Sequence, residues 1–169
     1  MMVDDIRVVA AGLAHVPVMA ALHASAFADP AVSGPAWDAD TIAGLLVMPG
    51  VRARILLSGE VPVALALWRI AADEAELLTI GVDATAGGRG YGSELLRDGI
   101  EMLHYSEIYR IFLEVAVSNT PAIRLYLSAG FTRVGRRPGY YRHGAVAVDA
   151  DIMMRSFPEE MSREGESIC

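Results

Sequence analysis

The sequence has 169 residues, a length that fits a single domain. Its hydrophobic fraction of 53% and charged fraction of 21% are those of a folded protein and exclude a disordered chain. The net charge of −7 argues against a nucleic-acid partner, because such binding depends on clustered positive charge.

Several kinds of site are also excluded by residue content. All fourteen basic residues are arginine, and P-loop and pyridoxal phosphate chemistry both need a lysine. The four histidines are scattered without acidic partners at ligand spacing, so no metal site is predicted. The longest apolar run, residues 61–68, is far shorter than the roughly 20 residues that cross a bilayer. With its acidic start, the chain is expected to be cytoplasmic, without a membrane partner.

The first half of the sequence predicts one strand, two helices and a three-stranded antiparallel meander. The apolar spacing places these elements at residues 6–11, 14–28, 38–48, 52–58, 61–70 and 76–82. Residues 29–35 are rich in proline and glycine and are predicted to form a loop. Asp38 or Asp40 is expected to cap the second helix.

The second half changes character at a glycine-dense turn. It predicts a helix at 92–104, a strand at 110–117, a helix from Thr120 to Gly130 and strands at 131–136 and 146–154. The Thr120 hydroxyl is expected to cap the second of these helices. The fold class is therefore α/β, one mixed sheet between helices, formed by residues 1–158. Residues 159–169 are acidic and predict a flexible tail.

The glycine-dense turn, Gly87-Gly88-Arg89-Gly90-Tyr91-Gly92-Ser93, is a candidate pyrophosphate site. Glycines allow close approach of a ligand, and successive amides at a helix N-terminus point at bound phosphate. The alternative is a glycine-rich surface turn. A dinucleotide-binding Rossmann site is disfavoured, because its G-x-G-x-x-G spacing is G-x-G-x-G here.

Glu114 is the one carboxylate in the apolar strand at residues 110–117. If both faces of that strand are covered, a buried carboxylate is a candidate general base. The alternative is a glutamate at the strand end that reaches solvent or pairs with an arginine. Tyr126 could donate a proton to a leaving thiolate or simply pack on the sheet, and Asn119 could be only a capping residue.

The chain resembles the GNAT superfamily of N-acetyltransferases, and within it the bacterial ribosomal-protein alanine N-acetyltransferases. The resemblance covers about half of the chain. The matching residues are Asp73-Glu74-Ala75, Ile80-Gly81-Val82-Asp83, Arg89-Gly90-Tyr91-Gly92, Leu95-Leu96, Leu113-Glu114-Val115, Ser118-Asn119, Ala122-Ile123, Leu125-Tyr126, Gly130-Phe131, Arg137 and Tyr140-Tyr141.

The resemblance implies a GNAT fold, a mostly antiparallel sheet with a splayed pair of strands and helices on both faces. Acetyl-CoA would lie in the gap, its pantetheine arm on the backbone of Ile80 and Val82 and its pyrophosphate on the amides from Gly87 to Ser93. Asn119 would lie near the sulfur, Glu114 would be the general base and Tyr126 the acid.

The resemblance also implies where the acceptor binds. Tyr140 and Tyr141 would shape the acceptor side with Trp37, which could equally be a core or surface aromatic. Two features depart from the family pattern. Gly87 replaces the usual glutamine or arginine that opens the phosphate loop, and the segment at residues 28–37 is longer than usual.

The predicted reaction is acetyl transfer from acetyl-CoA to a primary amine, in particular the α-amine of a protein N-terminus. Two alternatives remain open. One is acetylation of a small amine such as a polyamine, an aminoglycoside or an amino acid. The other is a non-catalytic module that binds acyl-CoA or a partner protein.

Overall fold

A seven-stranded sheet organises the computed structural model, which describes residues 5–158. The strands are β1 Ile6–Ala11, β2 Val51–Ser58, β3 Val61–Ala71, β4 Glu74–Val82, β5 Arg110–Ala116, β6 Thr132–His143 and β7 Val146–Ser156. Their order across the sheet is β1-β2-β3-β4-β5-β7-β6. Among these strands, β4 and β5 form the parallel pair, and the other neighbours are antiparallel. The predicted tail at 159–169 lies outside the described residues.

Helices cover both faces of this sheet. They are α1 Val16–Ala26, α2 Pro30–Ser33, α3 Ala39–Leu46, α4 Tyr91–His104 and α5 Thr120–Ser128. One hydrophobic core packs α1 and α3 against one face, and a second packs α4 and α5 against the other. The mixed α/β fold predicted from the sequence is therefore confirmed. In the part of the chain that the structure describes, each helix is too short or too polar to cross a membrane.

Most predicted elements form close to their expected bounds because the local signals agree with the packing. The Asp38 carboxylate caps α3 by accepting a hydrogen bond of 2.8 Å from the Thr41 amide. Gly59 turns the β2–β3 hairpin with a φ of +59°, a conformation that costs glycine little. The first position confirms the predicted cap, and the second joins the two strands predicted at residues 52–58 and 61–70.

Three predictions in the loops and caps were wrong. The residue that caps α5 is Asn119 rather than Thr120, and its side chain accepts from the Ala122 amide at 3.3 Å. The predicted loop at 29–35 contains the short helix α2. Strand β6 continues to His143 instead of ending at Arg136, because a bulge carries the chain past Pro138 and Gly139 while pairing with β7 resumes beyond it.

Helix α4 lies against β3 through a contact that only glycine allows. A Cβ built on Gly99 would lie 2.2 Å from Cζ2 of Trp68, and the Trp68 side chain is fully buried. Because Gly99 has no side chain, α4 packs directly against the Trp68 ring on the sheet. This contact sets the height of the turn above the sheet.

Replacing Gly99 with alanine is expected to destabilise the fold by about 1–3 kcal/mol, because the added methyl overpacks a buried site. Gly44 in α3 is a matched control: it is exposed, and a Cβ there would meet nothing within 4 Å. Gly44→Ala should leave stability unchanged or raise it by about 0.5–1 kcal/mol. Urea unfolding of both variants tests this, and equal effects would contradict the packing argument.

Candidate functional site

The candidate site begins where β4 and β5 separate. Their parallel pairing runs from Glu74 and Arg110 to Leu77 and Leu113. Strand β4 then continues to Val82 and β5 continues to Ala116. The separation coincides with a bulge in β4, because Leu77 pairs with Trp68 and Thr79 pairs with Leu67, which leaves Leu78 as an extra residue. The chain therefore opens a cleft in the middle of its sheet.

The cleft is a cavity of about 650 Å³ that collects most of the predicted site residues. The predicted residues that line it are Trp37, Ile80, Val82, Gly92, Glu114, Asn119, Tyr126, Tyr140 and Tyr141. They come from β4, β5, β6, both helices that follow the open strands, and the segment before α3. Residues far apart in the sequence thus meet around one opening.

The rest of the glycine-dense turn lies beside the cleft, not in its lining. Residues Gly87 to Gly90 are exposed, Gly88 and Gly90 have φ values of +77° and +80°, and a Cβ on either would meet nothing within 4 Å. Tyr91 is buried, and its hydroxyl donates to Ser58 Oγ at 3.1 Å. The turn presents an open, backbone-lined surface at the N-terminus of α4, the kind of surface that binds anions.

Arg89 and Ser93 extend that surface at either side. The Arg89 side chain is exposed and makes no ion pair within residues 5–158. Ser93 is also exposed, and it faces a separate groove between α4 and α5. Of the predicted phosphate-binding residues, Gly92 is the one that lines the cleft itself.

Glu114 faces the cleft, but it is not buried as the sequence pattern predicted. Its side chain keeps 22% of its exposure, and Oε1 accepts a hydrogen bond of 2.7 Å from Nη1 of Arg137. The apolar strand around it is covered on the α4 side, whereas the side that carries Glu114 opens into the cavity. The carboxylate is thus paired with an arginine, the alternative that the sequence left open.

Tyr126 lies on α5 with its ring in the core and its side chain lining the cleft. The ring meets Phe131 edge-on at 5.9 Å between centroids. Burial, with a further effect of Tyr141 nearby, raises the pKa of the Tyr126 phenol well above its usual value. The phenol therefore keeps its proton at neutral pH.

Tyr140 and Tyr141 line the same cavity although neighbouring residues of a regular strand point to opposite faces. The bulge in β6 explains this: Arg137 pairs with Ala150 and Tyr141 with Val148, so four steps on β6 match two on β7. Burial raises the pKa of Tyr141 to about 12 and, with the nearby Glu114 carboxylate, raises the pKa of Tyr140. Both phenols stay neutral at physiological pH.

His23 is a cleft residue that the sequence did not single out. It is 3% exposed, its Nδ1 accepts from the Trp37 amide at 3.0 Å, and its Nε2 lies 3.2 Å from Thr79 Oγ1. The ring also stacks on Trp37 at 4.9 Å and packs against Phe27 at 4.3 Å. Since Nδ1 accepts, the proton resides on Nε2, and the neutral ring ties Trp37 to β4 at its bulge.

Glu76 is a second cleft residue that was not predicted, although the sequence contained a signal for it. Like Glu114 it is a carboxylate in an apolar strand, and it lines the cavity while its side chain pairs with Arg69. His23 offered no such signal, because a lone histidine on a helix is consistent with many environments. Within residues 5–158, no three His, Cys, Asp or Glu side chains lie close enough together to hold a metal ion.

The pKa of His23 predicts a pH dependence of stability. Burial lowers it from 6.5 to about 4, so between these values the unfolded chain binds more protons than the folded one. The free energy of unfolding should therefore fall as the pH falls through this window, by up to roughly 3 kcal/mol. Urea unfolding at pH 7, 5.5 and 4.5 measures this loss.

His23→Phe is the control for this titration, because it keeps an aromatic ring but has no group that charges. Its stability should be lower at pH 7, since two hydrogen bonds are lost, but it should decline less steeply on acidification. Parallel pH profiles for the two proteins would show that His23 is not the titrating group.

Comparison with known proteins shows which family this chain resembles. A profile of the acetyltransferase (GNAT) family matches residues 21–131. The N-alpha-acetyltransferase RimI of Mycobacterium tuberculosis is 46% identical over 82 residues, which are 48% of this chain and 49% of that protein. The alignment thus spans about half the length of this curated relative.

Solved structures show the same fold over nearly the whole chain. The ribosomal-protein-S18-alanine N-acetyltransferase from Escherichia coli has a TM-score of 0.82 and 27% identity, covering 97% of this chain and 99% of that chain. The yncA protein of Salmonella typhimurium, with its cofactor acetyl-CoA, has a TM-score of 0.75 and 19% identity, covering 91% and 95%. Because the family profile covers more than half of the sequence, this chain belongs to the GNAT family of acetyltransferases.

Proposed function

We propose that this chain is an acetyl-CoA-dependent N-acetyltransferase acting on a primary amine, and specifically on the α-amine of a protein N-terminus. The observation that carries the proposal is the cleft between β4 and β5, which is lined by both Glu114 and Tyr126. Amine acylation needs a general base and a general acid. A carboxylate and a protonated phenol that line one cavity can fill these two roles, respectively. We also propose a cytoplasmic location.

The described residues fit acetyl-CoA. The open backbone surface at Gly88 and Gly90 leaves room for a diphosphate, and the amides that begin α4 face it. The edge of β4 that leaves β5 presents backbone groups of Ile80 and Val82 to the cleft, where an extended arm with amide groups can pair with them. Gly87 offers a backbone amide but no side chain, so we assign the phosphate contact to the main chain and to Arg89.

Asn119 has a divided role in this proposal. Its side-chain oxygen is already used to cap α5, while the residue also lines the cleft. The amide nitrogen of the same side chain is the group left to contact the acyl thioester near its sulfur. The predicted capping role and the proposed binding role are therefore compatible.

Acetyl-CoA supplies an acetyl group activated as a thioester. Glu114 takes one proton from the incoming ammonium, directly or through water, so that the amine nitrogen can form the new C–N bond. The second proton that this nitrogen loses as the amide forms passes to water, and water returns to Tyr126 the proton that it gives to the sulfur. Tyr126 gives its proton to the sulfur as the C–S bond breaks, and burial keeps the phenol protonated until then because it raises the pKa. No acyl-enzyme is needed.

The acceptor end of the cleft favours an extended chain terminus. Trp37, Tyr140 and Tyr141 line the same cavity as Glu114 and give this end an aromatic surface. Two of the proteins named above are, by their names, an N-alpha-acetyltransferase and a ribosomal-protein-S18-alanine N-acetyltransferase. Both observations support a peptide α-amine as the acceptor.

The direct test supplies acetyl-CoA with two sets of acceptors: peptides that begin with alanine, and small amines such as a polyamine, an aminoglycoside and a free amino acid. We expect peptide acetylation, read by mass spectrometry. If small amines were acetylated and the peptides were not, the acceptor would be a small amine and the proposed acceptor class would be wrong. If no acceptor were acetylated, the remaining interpretation would be a non-catalytic module that binds acyl-CoA.

Glu114→Gln should lower kcat by about 10²–10⁴-fold, because the amide cannot accept the proton, and Tyr126→Phe should lower it by a similar or smaller factor. Affinity for CoA, measured by calorimetry, should stay within about twofold in Glu114→Gln. Glu60→Gln, in an exposed residue of the β2–β3 turn, is the matched control. Unchanged rates in both site variants would show that these residues do not carry the chemistry.

Gly90→Ala should weaken CoA binding by about tenfold, because a side chain at this left-handed position strains the turn and intrudes on the phosphate surface. Gly144→Ala carries a comparable backbone cost at φ +60° but lies in the turn between β6 and β7, outside the glycine-dense turn. Both variants should lose about 1 kcal/mol of stability, and only the first should lose affinity in calorimetry. Equal CoA affinity in the two variants would contradict the assignment of phosphate binding to the glycine-dense turn.

A further inference from the structure

We propose that Arg137 is a positioning residue that fixes the direction of the Glu114 carboxylate. This inference rests on the proposed function, since it assigns a role toward the base of that reaction. Arg137 does not itself exchange a proton with the acceptor. It determines which oxygen of Glu114 the acceptor meets.

The contact itself supports this role. Nη1 of Arg137 donates to Oε1 of Glu114 at 2.7 Å, which leaves Oε2 outside the guanidinium's grip. A charge-assisted hydrogen bond of this length restricts rotation of the carboxylate. The Tyr140 hydroxyl also donates a hydrogen bond to this carboxylate, and Glu114, held in this way, lines the cavity.

Arg137 is itself held in place by its surroundings. Its guanidinium carbon lies 4.2 Å above the centre of the Tyr140 ring, a cation–π contact. Tyr140 follows Gly139, whose φ is +58° and whose amide donates to Asp149 Oδ1 at 2.8 Å. The β6 bulge thus places the arginine and the ring that supports it as one unit beside β5.

Among the charged groups near Glu114, Arg137 is the cation that pairs with it. Glu76 contributes a second negative charge that acts on Arg137 and Tyr140, but its own ion pair is with Arg69 on β3. The remaining titratable neighbours, Tyr140 and Tyr141, are neutral phenols with raised pKa values. Two carboxylates and two arginines therefore form separate pairs, one on each side of the opening.

A double-mutant cycle distinguishes positioning from general structural support. Arg137→Ala should lower kcat for an alanine-initiated peptide by about tenfold or more, because a misdirected base loses its alignment. Arg137→Lys should recover part of the loss, since lysine restores the charge without the planar fork. In the Glu114→Gln background, Arg137→Ala should cause no further fall, because its target is gone. CoA affinity should change by less than about twofold throughout.

Arg142→Ala is the matched control, since this arginine is on the same strand, is exposed and makes no ion pair within the described residues. It should leave kcat unchanged. A wild-type kcat in Arg137→Ala would overturn the proposal, and so would an equal fall in both backgrounds, because the arginine would then not act through Glu114.

A second measurement does not depend on acetyl transfer. Nitrogen-15 NMR of the arginine side chains should show restricted guanidinium rotation for Arg137 in the wild-type protein and faster rotation in Glu114→Gln. Free rotation in the wild type would overturn the proposal even if the protein is an active enzyme. Conversely, restricted rotation in a protein that acetylates no acceptor would support the ion pair while the proposed function fails.

Discussion

The separation of β4 from β5 is the constraint on which the rest of the site depends. The two strands share only the pairs from Glu74–Arg110 to Leu77–Leu113 before they part. Backbone groups beyond that point lack a neighbouring strand on one side and must find water or a ligand, because unsatisfied peptide groups are costly. The bulge at Leu78 falls at the point of separation. A sheet with continuous pairing here would have no cavity for Glu114 and Tyr126 to line.

The two ends of the cleft are built by different means. The proposed cofactor end uses main-chain groups at the start of α4, whose distance from the sheet is set by the Gly99–Trp68 contact. The proposed acceptor end uses side chains, with His23 tying Trp37 to β4 and a bulge presenting Tyr140 and Tyr141 together. Strand β4 contributes to both ends, so its bulge links the geometry of the donor to that of the acceptor.

The sequence predicted the regular parts of this structure well and the irregular parts poorly. Strand β1 and the Asp38 cap were predicted correctly because alternation and capping are local signals. The end of β6 was missed because Pro138 and Gly139 look like a strand terminus, and only pairing with β7 reveals a bulge. Glu114 was identified by its isolation among apolar residues. Its partner and its exposure depend on a strand more than twenty residues later, which no local pattern encodes.

The cations that contact the carboxylates of the cleft are both guanidiniums, on Arg69 and Arg137. A guanidinium remains protonated at any physiological pH, so its nitrogens have no free electron pair with which to attack a carbonyl carbon. An ammonium side chain in the same place would titrate more readily and, once neutral, would compete for the acyl group. In the proposed reaction, these two cations therefore do not compete for the acyl group of the thioester, and the acceptor amine remains the nucleophile.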